Sequence, residues 1–201
     1  MTDGRITKGN ETKEKILQAT LLYIADHGIK GMSAAKIAKL AGVSKSNIFH
    51  HFDSVEDLPF KCMSHLCDNL MASVDAYETS SLEELLLNVG DMTFIEDVYH
   101  QKTYRAFFTL YNESFHDQRY KVIIENMKDK YIEAIVDAVN YYEKDVIDQK
   151  GLKELAHLIT IIIDGMGMHY LIDGDPGIYI KLWTLQVQMI LKEVDMLKKN
   201  R

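Results

Sequence analysis

The sequence predicts an all-α protein, and three observations carry that prediction. Only two prolines occur among 201 residues, so almost no position forbids a helix. Leu, Ile, Met, Ala, Lys and Glu dominate, a bias toward a mostly helical chain. Apolar residues recur at steps of three and four, in runs bounded by capping residues or glycines, with almost no strand signals between them. At 47% hydrophobic and 26% charged, the chain is globular rather than disordered, and long enough for one large domain or two small ones.

The elements follow in order. Residues 12–27 place Ile16, Ala19 and Tyr23 on one face, with Leu17, Leu21 and Ile24 beside them, and Gly28 ends the helix. Ser33 caps a short helix through Leu40, which Gly42 breaks, and Ser44 caps a second that ends near His51. Ser54 and Asp57 resemble a capping box and start a long helix toward Tyr77. Pro59 lies one turn into it, where it should remove a backbone hydrogen bond and bend the start. Ser81 and Glu84 form a box for a helix to about Tyr99, and Thr103 begins another through Phe115. Tyr120, Ile124, Met127, Tyr131, Ile135, Ala138 and Tyr142 mark a long amphipathic helix, which Gly151 separates from an apolar one over 152–172. Asp175 and Pro176 open the last helix, to about Lys198. The β-branched run 159–163 would also suit a buried strand, but no partner strand is in evidence, so helix is favoured.

Residues 1–10 are polar and lack the apolar stretch of a signal peptide. The apolar segment 155–172 is interrupted by His157, Thr160, Asp164 and His169, which favours a buried helix over a membrane span. Cys62 and Cys67 are five residues apart, about 140° around a helix, so a disulfide is disfavoured and a reducing cytoplasm fits best. Cys62 and His65 alone make a poor zinc site and read as core, so no metal or cofactor is expected.

A net charge of −7 argues, taken whole, against a partner made of phosphates. Its distribution argues otherwise. Residues 1–51 hold eight Lys/Arg against four Asp/Glu, while the remainder holds 15 against 26. A basic head on an acidic body is a hint of nucleic-acid contact by the head.

Residues 33–51 supply the matching motif. Two short helices are joined by Ala41-Gly42-Val43, with Ile37, Ala38, Val43 and Ile48 available to fill the space between them. Ser44, Lys45, Ser46, Asn47 and His50 are left on or near the exposed side, where short polar groups suit entry into a major groove. Asn pairs with adenine, and Ser or Lys reaches bases or phosphates. The same residues would also serve as an ordinary polar surface on a helical hairpin.

The wider string is more specific. Gly28, Gly31, Ser33, Ile37-Ala38, Ala41-Gly42-Val43-Ser44-Lys45, Ile48-Phe49-His50-His51-Phe52 and Glu56-Asp57-Leu58 resemble the N-terminal domain of tetracycline-repressor-like (TetR) transcriptional regulators. The resemblance covers about residues 12–60; the rest shares only the family's helical layout. It implies an N-terminal three-helix helix-turn-helix DNA-binding domain over 1–58 and a C-terminal ligand-sensing and dimerisation domain over 59–201. It implies that Ser33 holds a phosphate, that Ser44, Lys45, Ser46, Asn47, Phe49, His50 and His51 belong to the DNA-reading surface, and that Phe52 locks it in place. Ser46 stands where the family usually has Gly. Phe49 replaces a usual Tyr and Val55 a common Lys, each deleting a phosphate contact.

A regulator of this kind needs a sensor. Met63, Met92, Tyr104, Phe107, Phe108, Tyr111, Met127, Tyr131 and Met166 are the adaptable apolar side chains that line a small-molecule pocket, although each alone also reads as core. His169, or Asn112, Glu113 or His116, would meet the polar end of an apolar or aromatic effector. The last helix carries two apolar stripes, one with Leu182 and Met189, the other with Trp183 and Ile190. With Ile162 and Gly165 of the preceding helix, these predict a two-fold homodimer interface, hence a palindromic double-stranded operator.

The expected function is therefore a ligand-responsive repressor, cytoplasmic and not membrane-bound. An enzyme is the main rival, but the sequence has no phosphate loop, paired metal histidines or nucleophile elbow. A helical interaction protein that has lost DNA binding is the other, supported only by Phe49 and Val55.

Overall fold

The computed structural model describes residues 3–74, 79–144 and 148–198. Among these are nine helices: α1 (Asp3–His27), α2 (Ala34–Ala41), α3 (Lys45–His51), α4 (Leu58–Val74), α5 (Leu82–Thr93), α6 (Val98–Glu113), α7 (Gln118–Tyr142), α8 (Gln149–Asp173) and α9 (Pro176–Leu197). No strand occurs among the described residues, so the all-α expectation holds. Two compact units form. One comprises Met1–Asn69 with Val98–Ile124, the other Leu70–Asp97 with Glu125–Arg201.

In the first unit α1 packs against α2, α3 and α6. Ile16, Leu17, Ile24, Ile37, Ile48, Leu58, Cys62, Ala106 and Leu110 are buried. The buried Thr20 hydroxyl donates to Ile16 O at 2.7 Å, and the Cys62 thiol to Leu17 O at 3.5 Å. Both cysteines are buried free thiols, and burial pushes the Cys62 thiol far above its ordinary range.

The second unit is built on α5, α8 and α9. Trp183 donates its indole N–H to Leu86 O at 2.6 Å, and Phe94, Tyr170 and Tyr179 form a triangle of rings 5.6–5.8 Å apart. The inner face of α9 is Tyr179, Trp183, Val187, Ile190 and Val194, all buried.

Several expected boundaries are corrected. The helix begun by Ser81 stops at Thr93, not near Tyr99, because Phe94 leaves helical geometry to enter that ring cluster while its N–H still bonds Gly90 O. Tyr170 then holds the departing chain by donating to Ile95 O at 2.7 Å. The next helix starts at Val98, which leaves Thr103 inside α6 with its hydroxyl on Tyr99 O. The Ser54–Asp57 cap forms, with Ser54 Oγ accepting the Asp57 N–H at 3.2 Å, but α4 begins at Leu58. Pro59 is thus its second residue, where the missing N–H has no intrahelical partner to lose. Tyr77, the expected end of that helix, lies outside the described residues. Gly151 is not a separator but part of the first turn of α8, its N–H accepted by Asp148 at 2.9 Å.

The apolar helix α8 is buried on one face only within the single chain. By length and composition it would also suit a membrane span. One face, with Leu155, Ala156, Ile159 and Tyr170, is buried, yet Leu158, Ile161, Met168 and Ile172 are exposed. Ile178, Leu182, Leu185 and Met189 on α9 are exposed likewise.

Candidate nucleic-acid interface

Short helices in water need caps, and α2 and α3 have them at both ends. Ser33 Oγ accepts the Lys36 N–H at 3.4 Å. At the other end of α2, Gly42 has φ +65°, a left-handed geometry that favours glycine, and its N–H bonds Ala38 O and Lys39 O. The Val43 N–H also reaches Ala38 O, at 3.0 Å, turning the chain into Ser44. Ser44 Oγ accepts the Asn47 N–H at 3.3 Å, donates to Asn47 Oδ1 at 2.7 Å and lies 2.8 Å from Ser46 Oγ. Phe52 ends α3 in extended geometry with its side chain buried.

This packing decides which side chains remain outside. Ile37, Ala38, Ile48 and Phe52 are buried, whereas Ser44, Lys45, Ser46, Phe49 and His50 are exposed, with Asn47, His51 and Ser33 half-buried. Phe49 is 52% exposed, an apolar ring displayed rather than packed. The rings of His50 and His51 meet edge to face at 5.0 Å. Partial burial holds His51 below the ordinary imidazole range, aided by repulsion from His50 and Lys13. Lys36 is spent internally, donating to Gly31 O at 2.7 Å and to the Tyr23 hydroxyl at 3.3 Å, and so staples the α1–α2 turn.

The expected effector residues are only partly brought together. Tyr104, Phe107, Phe108 and Tyr111 form a ladder of rings along α6, extended by His100 and Phe115. Met63 is fully buried in the first unit. Met92, Met127, Tyr131, Met166 and His169 belong to the second; Met127 is buried, Met92, Tyr131 and Met166 half-buried, His169 exposed.

Of the expected interface residues, Leu182 and Met189 are exposed, at 48% and 56%. Trp183 and Ile190 are each 1% exposed inside the chain's own core, so neither offers surface to a partner. Ile162 and Gly165 are half-buried, and a methyl group added at Gly165 would meet nothing within 4 Å. Leu158, Ile161, Met168 and Ile172 escaped the sequence reading as outward residues, although their spacing of three, seven and four residues marks one face.

Two capped helices joined at a left-handed glycine, with a mostly polar face turned outward, form a helix-turn-helix, a motif that DNA-binding proteins use. Residues 16–60 match the model for bacterial regulatory proteins of the tetR family. The chain is 24% identical to the HTH-type transcriptional regulator BetI of Cronobacter sakazakii over 90% of each chain. Its fold resembles a transcriptional regulator from Rhodococcus sp. Rha1, with a TM-score of 0.76 and 18% identity, covering 89% of this chain and 95% of that one. It also resembles a regulator from Saccharomonospora viridis solved in complex with choline, with a TM-score of 0.70 and 18% identity, covering 91% and 96%. Residues 16–60 thus form a helix-turn-helix domain of the tetR type, and the chain as a whole is similar to transcriptional regulators of that family.

Proposed function

We propose that this regulator is a repressor that binds a palindromic operator as a homodimer and is released by a small, largely apolar effector. The observation that carries the reading is the exposed face of Ser44, Lys45, Ser46, Phe49 and His50 on a helix capped at both ends. In the proposed division of labour, residues 1–58 read DNA and 59–201 sense and dimerise. Ser33, Ser44, Lys45 and His51 meet phosphates while Ser46, Asn47 and His50 face base edges. The exposed stripes of α8 and α9 support a two-fold pairing, since these two packed helices both display large apolar side chains to water. The ring ladder of α6 supports an apolar or aromatic effector. The protein acts in the cytoplasm, and its reading calls for no catalytic group.

Binding to duplex DNA from upstream of its own gene tests the reading. Affinity is expected to fall steeply with salt as counterions are released. Asn47→Ala is expected to weaken specific binding by about 1–3 kcal/mol and relax sequence preference. Binding that does not fall with salt would contradict the DNA-binding reading, and indifference to Asn47→Ala would remove that residue from the site. Choline, held by the S. viridis regulator, belongs among the effector probes alongside apolar aromatics.

A further inference from the structure

The turn that leaves α3, the proposed recognition helix, is gripped by a side chain from α7. After Phe52, Ser54 Oγ donates to Asp57 Oδ2 at 3.1 Å while accepting the Asp57 N–H, which closes the turn into a small box. The other carboxylate oxygen, Asp57 Oδ1, accepts from Arg119 Nη1 at 3.3 Å. Arg119 is itself oriented by Asp117, which takes Nε at 3.1 Å and Nη2 at 2.9 Å. The guanidinium lies 5.4 Å from the centre of the Phe60 ring, and Tyr120 meets that ring edge-on at 5.8 Å. Residues 117–120 therefore hold residues 54–60 by an ion pair, a cation–π contact and a ring contact together. A second grip ties α6 to the end of α1, where Lys102 donates to Asp26 at 2.7 Å.

We propose that Arg119 is the positioning residue of the recognition helix: through Asp57 it fixes the corner between α3 and α4, and so sets how α3 presents its outward face to DNA. Arg119 touches no base in this account; it acts through Asp57. The corner it stands on follows the end of α6, whose ring ladder runs to Phe115, two residues before Asp117. The inference rests on the proposed function, because it needs a DNA operator to act on.

The sign of one substitution separates positioning from simple charge. Asp57→Asn removes a negative charge from the DNA-binding head, so electrostatics alone predicts equal or tighter binding. Lost positioning predicts weaker specific binding instead. The probe is the duplex that the wild-type chain enriches from a random pool, with a scrambled duplex beside it. Asp57→Asn and Arg119→Gln are each expected to weaken specific binding about two- to fivefold, the range open to an exposed ion pair. The double variant is expected to lose no more than either single one. Arg119→Lys is expected to recover part of the loss, and binding of the scrambled duplex is expected not to weaken in Asp57→Asn. Unchanged or tighter specific binding by Asp57→Asn, or additive losses in the double variant, would overturn the proposal. If the wild-type chain enriches no duplex, the repressor reading fails and this inference falls with it.

Discussion

Trp183 lies directly over Gly90: a side-chain carbon at that glycine would sit 2.7 Å from the indole nitrogen and 2.8 Å from Cγ. One turn earlier on α5, Leu86 offers its carbonyl to the same indole N–H at 2.6 Å. Glycine here is demanded by close approach, since α9 can seat its only tryptophan only where α5 has no side chain.

Gly90→Ala should therefore strain the second unit although alanine favours helices. Overpacking of this kind costs about 1–3 kcal/mol, well above the gain in helix propensity of up to ~1 kcal/mol. Urea unfolding should show a net loss of stability; a variant as stable as the parent would mean the tryptophan moves aside freely.

Asp164 gives a dependence on pH. Desolvation raises its carboxyl to about 6, against an ordinary value of 3.8. The folded state then binds the proton more tightly than the unfolded chain, so ionisation opposes folding. The penalty is absent below about pH 4, grows as pH rises toward 6 and is complete above it, at roughly 3 kcal/mol or less. Asp164→Asn should stabilise the protein at pH 7.5 and lose that advantage near pH 4. Thermal melts across that range check it, and an equal effect at both ends would contradict the assignment.

The outer stripe of α9 should govern association. Leu182→Glu with Met189→Glu places two charges on the exposed face without touching the buried Trp183 or Ile190. Light scattering should find two chains per particle for the parent and one for the variant, with helicity retained. A single chain per particle in the parent would end the dimer proposal.

Much of this architecture was legible because its signals are local. Ser33, Ser44, Ser81 and Asp175 each cap the helix expected of them, and Gly42 turns where the motif required. What escaped was set by distant partners. Nothing near residue 94 says stop; α5 ends there because Phe94 packs with Tyr170 and Tyr179. The two stripes of α9 look equally apolar, and only Gly90 and Leu86 on another helix decide that the Trp183 stripe turns inward. The residues proposed to face DNA stood out, Phe49 apart, as polar positions on a patterned motif. The Arg119–Asp57 pair, 62 residues apart in sequence, has no local signature.

The outward face of α3 is proposed to read DNA as one of a symmetric pair. Selection of bound duplexes from a random pool, followed by sequencing, tests it most directly. Two inverted half-sites are expected, with centres about one helical turn apart, roughly 34–36 Å or a small multiple of it, and that enrichment is expected to be lost in Asn47→Ala. Enrichment of a single unpaired site, or of no sequence at all, would contradict it.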